Sequence, residues 1–402
     1  MPPRILLSAG EASGDLHGAS LARALRRRWP DADLYGLGGP RMADEGVRLM
    51  AGLDKLAVMG FTEVLAHLPY FIGLFSRMRA ELDARPPDLV VPIDYPGFNL
   101  RLARAAHGRG VPVLYYIAPQ VWAWHRSRMR QLAEHTDRLA VILPFEEELF
   151  RAAGADAVFV GHPLLDNRPA VPDRAAFAAA TGIRPEQPVL ALFPGSRAQE
   201  VRRHFGVFAE AAELVRRHRP DVQPVVARPA GLDERLYAGA ALPRTADADA
   251  LLAHADAALV KSGTGTLQAA LAGTPLVVAY RTSLLTFALA RRLVRVPHVG
   301  LVNLVAGERA APEFLQDRAT PAALAAALLP LLDRHAPERD RAVAALARVR
   351  AALDPGGADL PVPPTGPVDA APGPASHAGA AAAAPGSANR VAALAADLLA
   401  DA

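Results

Sequence analysis

Short apolar runs alternate with helical segments along this chain, and that alternation restricts it to a parallel α/β fold. Apolar runs occupy residues 4–8, 33–36, 89–93, 113–117, 138–142 and 157–160. Helical periodicity separates several of them, as at residues 16–29, where it stops before Pro30, and at 100–108. Five prolines between residues 161 and 188 then break the pattern around one short helix, 174–181. The alternation resumes with strands at 189–193, 256–261 and 276–280 and helices at 199–218 and 266–272. This order predicts two Rossmann-like domains, residues 1–165 and 166–353, whose parallel sheets face a central cleft. Residues 354–388 are rich in Pro, Ala and Gly and read as a flexible tether. Residues 389–402 regain helical spacing, with Val391, Leu394, Leu398 and Leu399 on one face, and read as a docking helix.

Composition removes several function classes. The chain has no cysteine, which excludes disulfides, thiolate catalysis and cysteine zinc sites. Its net charge is +3, from 44 basic and 41 acidic residues, so nucleic acid is not an expected partner. Arginine clusters at Arg26–Arg28 and Arg291–Arg292 read as solvated helix faces or as sites of attraction to phosphate or an anionic membrane. The first apolar run is too short for a signal peptide, and no window reaches the roughly 18 apolar residues of a membrane span. A cytoplasmic protein, soluble or bound at a membrane surface, is expected.

Three turns carry the chain from a strand into a helix, where open α/β sheets bind ligands and helix N-termini suit phosphate. The turn Gly10-Glu11-Ala12-Ser13-Gly14-Asp15 is neither G-x-G-x-x-G nor a P-loop, and it misses G-x-S-x-G by one position. Ser13 or Asp15 caps the following helix, or the turn faces a ligand. The second turn is Pro194-Gly195-Ser196-Arg197, followed by Glu200, with Arg197 able to offer a charged fork to a phosphate. In the third, Lys261-Ser262-Gly263-Thr264-Gly265-Thr266, the glycines permit close backbone approach and the hydroxyls add donors. The pairs Asp31/Asp33 and Asp247/Asp249 stand at helix ends and read as caps, so no metal is expected, and no cofactor. His162 reads as a structural turn histidine.

Asp94 ends the apolar strand 89–93, and Tyr95-Pro96-Gly97-Phe98-Asn99 turns the chain into the next helix. A carboxylate there is either the cap of that helix or a general base at the carboxyl end of the sheet.

The motifs together resemble those of the lipid-A-disaccharide synthase family. They include GEASGDLHGA at 10–19, GLGGPRM at 36–42, MGFTEVL at 59–65 and IDYPGFNLRLA at 93–103. YYIAPQVWAWHRSR at 115–128, FVGHPLLD at 159–166, FPGSRAQEV at 193–201 and SGTGTLQAAL at 262–271 follow in the same order. The resemblance implies a GT-B architecture and inverting, metal-independent glycosyl transfer. The implied donor is UDP-2,3-diacylglucosamine, the acceptor 2,3-diacylglucosamine 1-phosphate (lipid X), and the product a β-1,6-linked disaccharide 1-phosphate with UDP released. It implies that Asp94 is the catalytic base, with Glu11 beside it in the catalytic set. Ser196, Arg197, Glu200, Ser262, Gly263, Thr264, Gly265, Thr266, Gln268 and Asn303 fall on the donor side. Ser13, Gly14, Asp15, Met59 and Glu63 fall on the acceptor side. Gln268 stands where the family usually has Glu, Val302 where it has Pro, and the segment 223–244 is short. These departures leave room for another UDP-sugar or lipid acceptor. A non-catalytic nucleotide- or lipid-binding relative is the third reading, against which the retained Asp94, Glu11, Arg197 and Asn303 speak.

Acylated substrates require contact with a bilayer, so the inner-membrane surface is an expected partner. Residues 64–75 form the most apolar window, with Arg77 and Arg79 next to it. This suits either a core helix or one lying in the headgroup region, and Leu68, Tyr70, Phe71, Leu74 and Phe75 are the expected membrane contacts.

Overall fold

The computed structural model describes residues 2–53, 68–121, 126–166, 170–283, 287, 297–355 and 386–401. Met59, Glu63, Trp122, Trp124, Arg291, Arg292 and nearly all of the proline-rich segment lie outside the described residues. The chain forms two units, Met1–Asp166 with Ala384–Ala402, and Asn167–Ala383.

The first unit is built on β1 (Arg4–Ala9), β2 (Asp33–Gly38), β3 (Arg48–Gly52), β4 (Leu89–Ile93), β5 (Leu114–Tyr116), β6 (Arg138–Val141) and β7 (Ala157–Phe159). They pair in parallel in the order β3-β2-β1-β4-β5-β6-β7, so the winding reverses between β1 and β4. The second unit holds β8 (Val189–Phe193), β9 (Gln223–Ala227), β10 (Arg244–Thr245), β11 (Ala257–Lys261), β12 (Leu276–Tyr280) and β13 (Glu313–Leu315). Its order is β10-β9-β8-β11-β12-β13, again parallel, reversing between β8 and β11.

Parallel strands covered on both faces read as unbroken apolar runs. Every residue of β4 is buried, including Pro92. The N–H of Val90 donates to Pro112 and that of Asp94 to Tyr116, but Pro92 between them has no N–H. One rung of the β4–β5 ladder is therefore missing just before the strand ends. The edge strands β3 and β13 are only part-buried, lack an apolar run, and escape pattern reading.

The helix Ser387–Ala400 packs on the helix Ala12–Arg28 and enters the first unit's core through Ala388, Val391, Ala392 and Ala395. Alanines at the centre let the two helices approach closely, while Leu394, Leu398 and Leu399 pack at the margin. Asp166 caps this helix from far away in sequence. Its carboxylate accepts from the Ser387 N–H at 2.9 Å, the Ser387 hydroxyl at 2.6 Å and the Ala388 N–H at 3.1 Å. Of the paired aspartates, Asp247 caps the helix Ala248–His254, whereas Asp33 forms ion pairs with Arg4 and Arg48 rather than a cap. His162 accepts from the Leu164 N–H and caps a short 3-10 turn.

Candidate active site

In the first unit, Ala9 pairs with Ile93 at the carboxyl ends of β1 and β4. Glu11 and Asp94 thus leave the sheet at the point where its winding reverses, the place where open α/β sheets bind ligands. The Tyr95 ring occupies the space of a residue-10 side chain, 2.2 Å from where its Cβ would lie, so only glycine fits at position 10. Asp94 and Tyr95 both take left-handed backbone conformations, with φ of 46° and 51°. Such strain persists only when the surroundings hold it. Buried Asn99 does the holding. Its amide nitrogen donates to the carbonyls of Asp94 (2.8 Å), Ser8 (2.9 Å) and Ile93 (3.2 Å), and its oxygen accepts from the Ser8 hydroxyl at 2.6 Å. The Tyr115 hydroxyl adds a bond to the Asp94 carbonyl at 2.8 Å.

Burial, then the negative charge of Glu11, pushes the Asp94 carboxyl up to about 6, against a smaller opposing pull from the Tyr95 N–H. A carboxylate poised there is ionised at neutral pH yet far more basic than an exposed aspartate. Asp94 lines a cavity of about 270 Å3 together with Ile117, Gln120, Arg128 and Glu146. Ile117, a β-branched residue, also has positive φ, 63°, so strained backbone borders the cavity just past the ends of both β4 and β5.

Asp15 does not face this cavity. Its carboxylate accepts from the N–H groups of Gly39 (2.8 Å), Met42 (3.0 Å) and Arg41 (3.2 Å), capping the helix Pro40–Asp44. Asp15 clamps the turn after β2. Neither Ser13 nor Asp15 caps the helix Ala12–Arg28, whose N-cap is Glu11 with no side-chain bond. Ser13 is exposed on the first turn, and Gly14 is buried against Ala9 of β1.

The second unit repeats the arrangement. The turn after β8 and the turn after β11 meet where that sheet reverses, each leading into a helix, Ala198–His218 and Gly265–Ala272. Ser196, Arg197 and Thr264 are exposed there, and Gln268 is half-buried. Glu200 joins the turns: one oxygen accepts from the Ser196 N–H at 3.0 Å, the other from Lys261 Nζ at 2.8 Å. Burial works against its charge, but the Lys261 ammonium and the Ser196 N–H outweigh that and hold the carboxyl below its ordinary range. Buried His204 braces the same corner, bridging the Glu200 carbonyl (2.8 Å) and the Arg281 N–H (2.9 Å).

Several of the residues expected on the donor side are bonded within the fold. The Ser262 hydroxyl donates to the Val299 carbonyl at 2.9 Å, and that of Thr266 to Gly263 at 2.8 Å, so both donor hydrogens are used within the fold. Glu200 holds the two turns together. Asn303 is fully buried. It exchanges 2.8 Å bonds with both backbone groups of Ala311 and donates to Glu313 at 2.8 Å. It fastens the helix Leu301–Ala306 to β13 and to the residue Ala311 before that strand. Val302 uses an N–H that proline lacks, donating to Thr266 Oγ1 at 3.4 Å. Of the acceptor-side residues, Met59 and Glu63 lie outside the described residues. Pattern reading passed over Asn99, Tyr115 and Lys261. Lys261 carried a signal, a polar residue ending an apolar strand just as Asp94 does.

Solved structures with this arrangement of sheets include a glycotransferase of kitacinnamycin, with a TM-score of 0.62 at 17% identity, covering 99% of this chain and 100% of that one. A putative UDP-N-acetylglucosamine 2-epimerase from Listeria monocytogenes gives a TM-score of 0.58 at 14% identity, covering 90% and 99%. At such identity the likeness concerns the fold, which is the GT-B fold of glycosyltransferases. Sequence narrows the class. The family model described as Lipid-A-disaccharide synthetase matches residues 5–353. A lipid-A-disaccharide synthase of Syntrophus aciditrophicus is 45% identical over 348 residues, 84% of this chain and 90% of that protein. Those of Geobacter sulfurreducens and Myxococcus xanthus are 42% and 40% identical, covering 88% and 89% of this chain and 94% and 95% of theirs. The chain belongs to the lipid-A-disaccharide synthase family of glycosyltransferases.

Proposed function

We propose that the chain transfers 2,3-diacylglucosamine from its UDP derivative to the 6-hydroxyl of 2,3-diacylglucosamine 1-phosphate. Asp94 accepts the hydroxyl proton as that oxygen attacks the anomeric carbon. The bond from that carbon to the diphosphate breaks, and UDP leaves with the electron pair. One displacement inverts the anomeric centre. The observation that carries this reading is Asp94 itself, at the switch point of the sheet, in a cavity, with its carboxyl raised to about 6. The cavity, about 270 Å3, suits one sugar ring but not its acyl chains, which must lie outside it. Gln120 and Arg128 supply polar lining for the acceptor. On the donor side, Arg197, Thr264, Gln268 and the N-termini of the helices Ala198–His218 and Gly265–Ala272 receive the UDP moiety.

Replacing Asp94 by Asn tests the base. Turnover of the two acyl sugars, followed by mass spectrometry of the disaccharide, should fall at least ~100-fold, while UDP binding persists. Near-normal turnover would remove Asp94 from the role. A second reading, a different UDP-sugar, is favoured by Gln268, whose neutral amide replaces the family's usual acid on the donor side. A panel of UDP-sugars in the same assay separates the two.

The protein works at the membrane surface in this proposal. Among the described residues no helix is long and apolar enough to cross a bilayer. The helix Leu68–Ala84 exposes Leu68 (47%) and Ile72 (59%) beside Arg77 and Arg79. Tyr70, Phe71 and Phe75 are half-buried. Leu74 is removed from the contact set, since it is buried on the opposite face with Met78 and Leu82.

A further inference from the structure

We propose that Lys261 binds the donor's diphosphate and that Glu200 holds its ammonium group in place until the ligand arrives. The inference rests on the reading of the second unit as the donor site. Lys261 is the last residue of β11, the strand beside the point where that sheet reverses. Its Nζ lies 2.8 Å from Glu200 Oε1, and each side chain is only 18% exposed. The ammonium also lies 3.3 Å from where a Cβ on Gly263 would sit, so the bare glycine, with φ of 146°, leaves it room inside the turn. The cation is therefore held between the turn that opens the helix Ala198–His218 and the turn that opens Gly265–Ala272.

The charge balance of this corner gives the pair its meaning. Two helix N-termini and the Arg197 guanidinium already make it positive. A further cation there is unfavourable unless an anion accompanies it. Glu200 is that anion when the site is empty, and its other oxygen is fixed by the Ser196 N–H. An ammonium has three N–H donors, and Glu200 takes one. The remaining two can meet phosphate oxygens without dismantling the pair. As the glycosyl–phosphate bond breaks, the leaving oxygen gains negative charge, and a fixed cation beside it stabilises that charge.

Binding constants of UDP and of uridine, measured on the full chain by titration calorimetry and by competition, test the proposal. Lys261→Met should weaken UDP ~10–100-fold, the range of a charge-assisted hydrogen bond, with uridine unchanged. Lys261→Arg should keep most of the UDP affinity. Glu200→Gln should bind UDP at least as tightly as the unsubstituted chain, because the ammonium then has no competing anion. The double variant Glu200→Gln/Lys261→Met, which leaves no buried charge unpaired, should still bind UDP clearly more weakly than the unsubstituted chain. Equal weakening by Lys261→Met and Glu200→Gln would overturn the proposal and make the pair a structural brace. So would unchanged UDP affinity in the double variant. If the unsubstituted chain fails to bind UDP, the donor-site reading itself falls, and the proposal with it.

Discussion

At the scale of the residue, Asp94 and Glu11 form a pair whose electrostatics can be read in a pH profile. The folded Asp94 carboxyl titrates near 6, raised first by burial and then by Glu11. Activity that needs it ionised should rise through about pH 6 and level off above. Glu11→Gln removes the second push but not the first. The acidic limb of kcat/KM should then move to lower pH while staying above the ordinary aspartate range, whatever happens to its height. A limb that stays in place would mean that Glu11 does not act on Asp94. A carboxyl raised on folding also makes the native state less stable once pH exceeds its unfolded value, and that loss disappears as pH falls below it. A charged residue ending an apolar strand drew the reading to Asp94 with cap and base both open, and the family resemblance favoured the base. Asp15, Ser262 and Thr266 are polar residues in equally suggestive turns, and Asn303 stands in a shared motif, yet in this structure all four bond groups of the fold itself. Sequence shows which side chains can bond, but not which partners the folded chain brings to them.

At the scale of the element, most strands buried on both faces were visible as apolar runs, but the buried strand β9, interrupted by Pro224, and part-buried edges such as β3 and β13 were not. The helix Leu68–Ala84 shows a related ambiguity. Its apolar residues cover more than one face, and burial alone separates Leu74, Met78 and Leu82 from Leu68 and Ile72. Phe75 packs edge-on against Phe98, with ring centres 5.7 Å apart, so a charge there would damage the core as well as the surface. The clean test is Leu68→Asp with Ile72→Asp. Sedimentation with anionic lipid vesicles should show at least a several-fold drop in bound protein, with the circular dichroism spectrum and UDP affinity unchanged. Undiminished sedimentation would assign the membrane contact elsewhere. Pro92 acts at this scale too. Its absent N–H leaves β4 and β5 one bond short just where Asp94 and Ile117 take their strained conformations.

At the scale of the molecule, the two α/β repeats and the proline-rich break between them were legible from periodicity. The closing of the first unit by the helix Ser387–Ala400 was only suggested, because its seat depends on Asp166, more than two hundred residues earlier in the chain. Asp166→Ala removes three bonds from that helix start and should cost ~1–2 kcal/mol. Denaturant unfolding would measure the loss, and hydrogen exchange should quicken first in residues 387–400. Equal protection in both proteins would mean that alanine packing alone seats the helix. This arrangement also sets a schedule for synthesis. A ribosome makes residues 1–166 before it makes residues 387–400, which pack on the helix Ala12–Arg28. At ordinary elongation rates the intervening stretch takes roughly 10–40 s. During that interval the nascent chain carries an uncovered apolar stripe, a natural landing place for a chaperone, and the first unit is finished only after the second has been made.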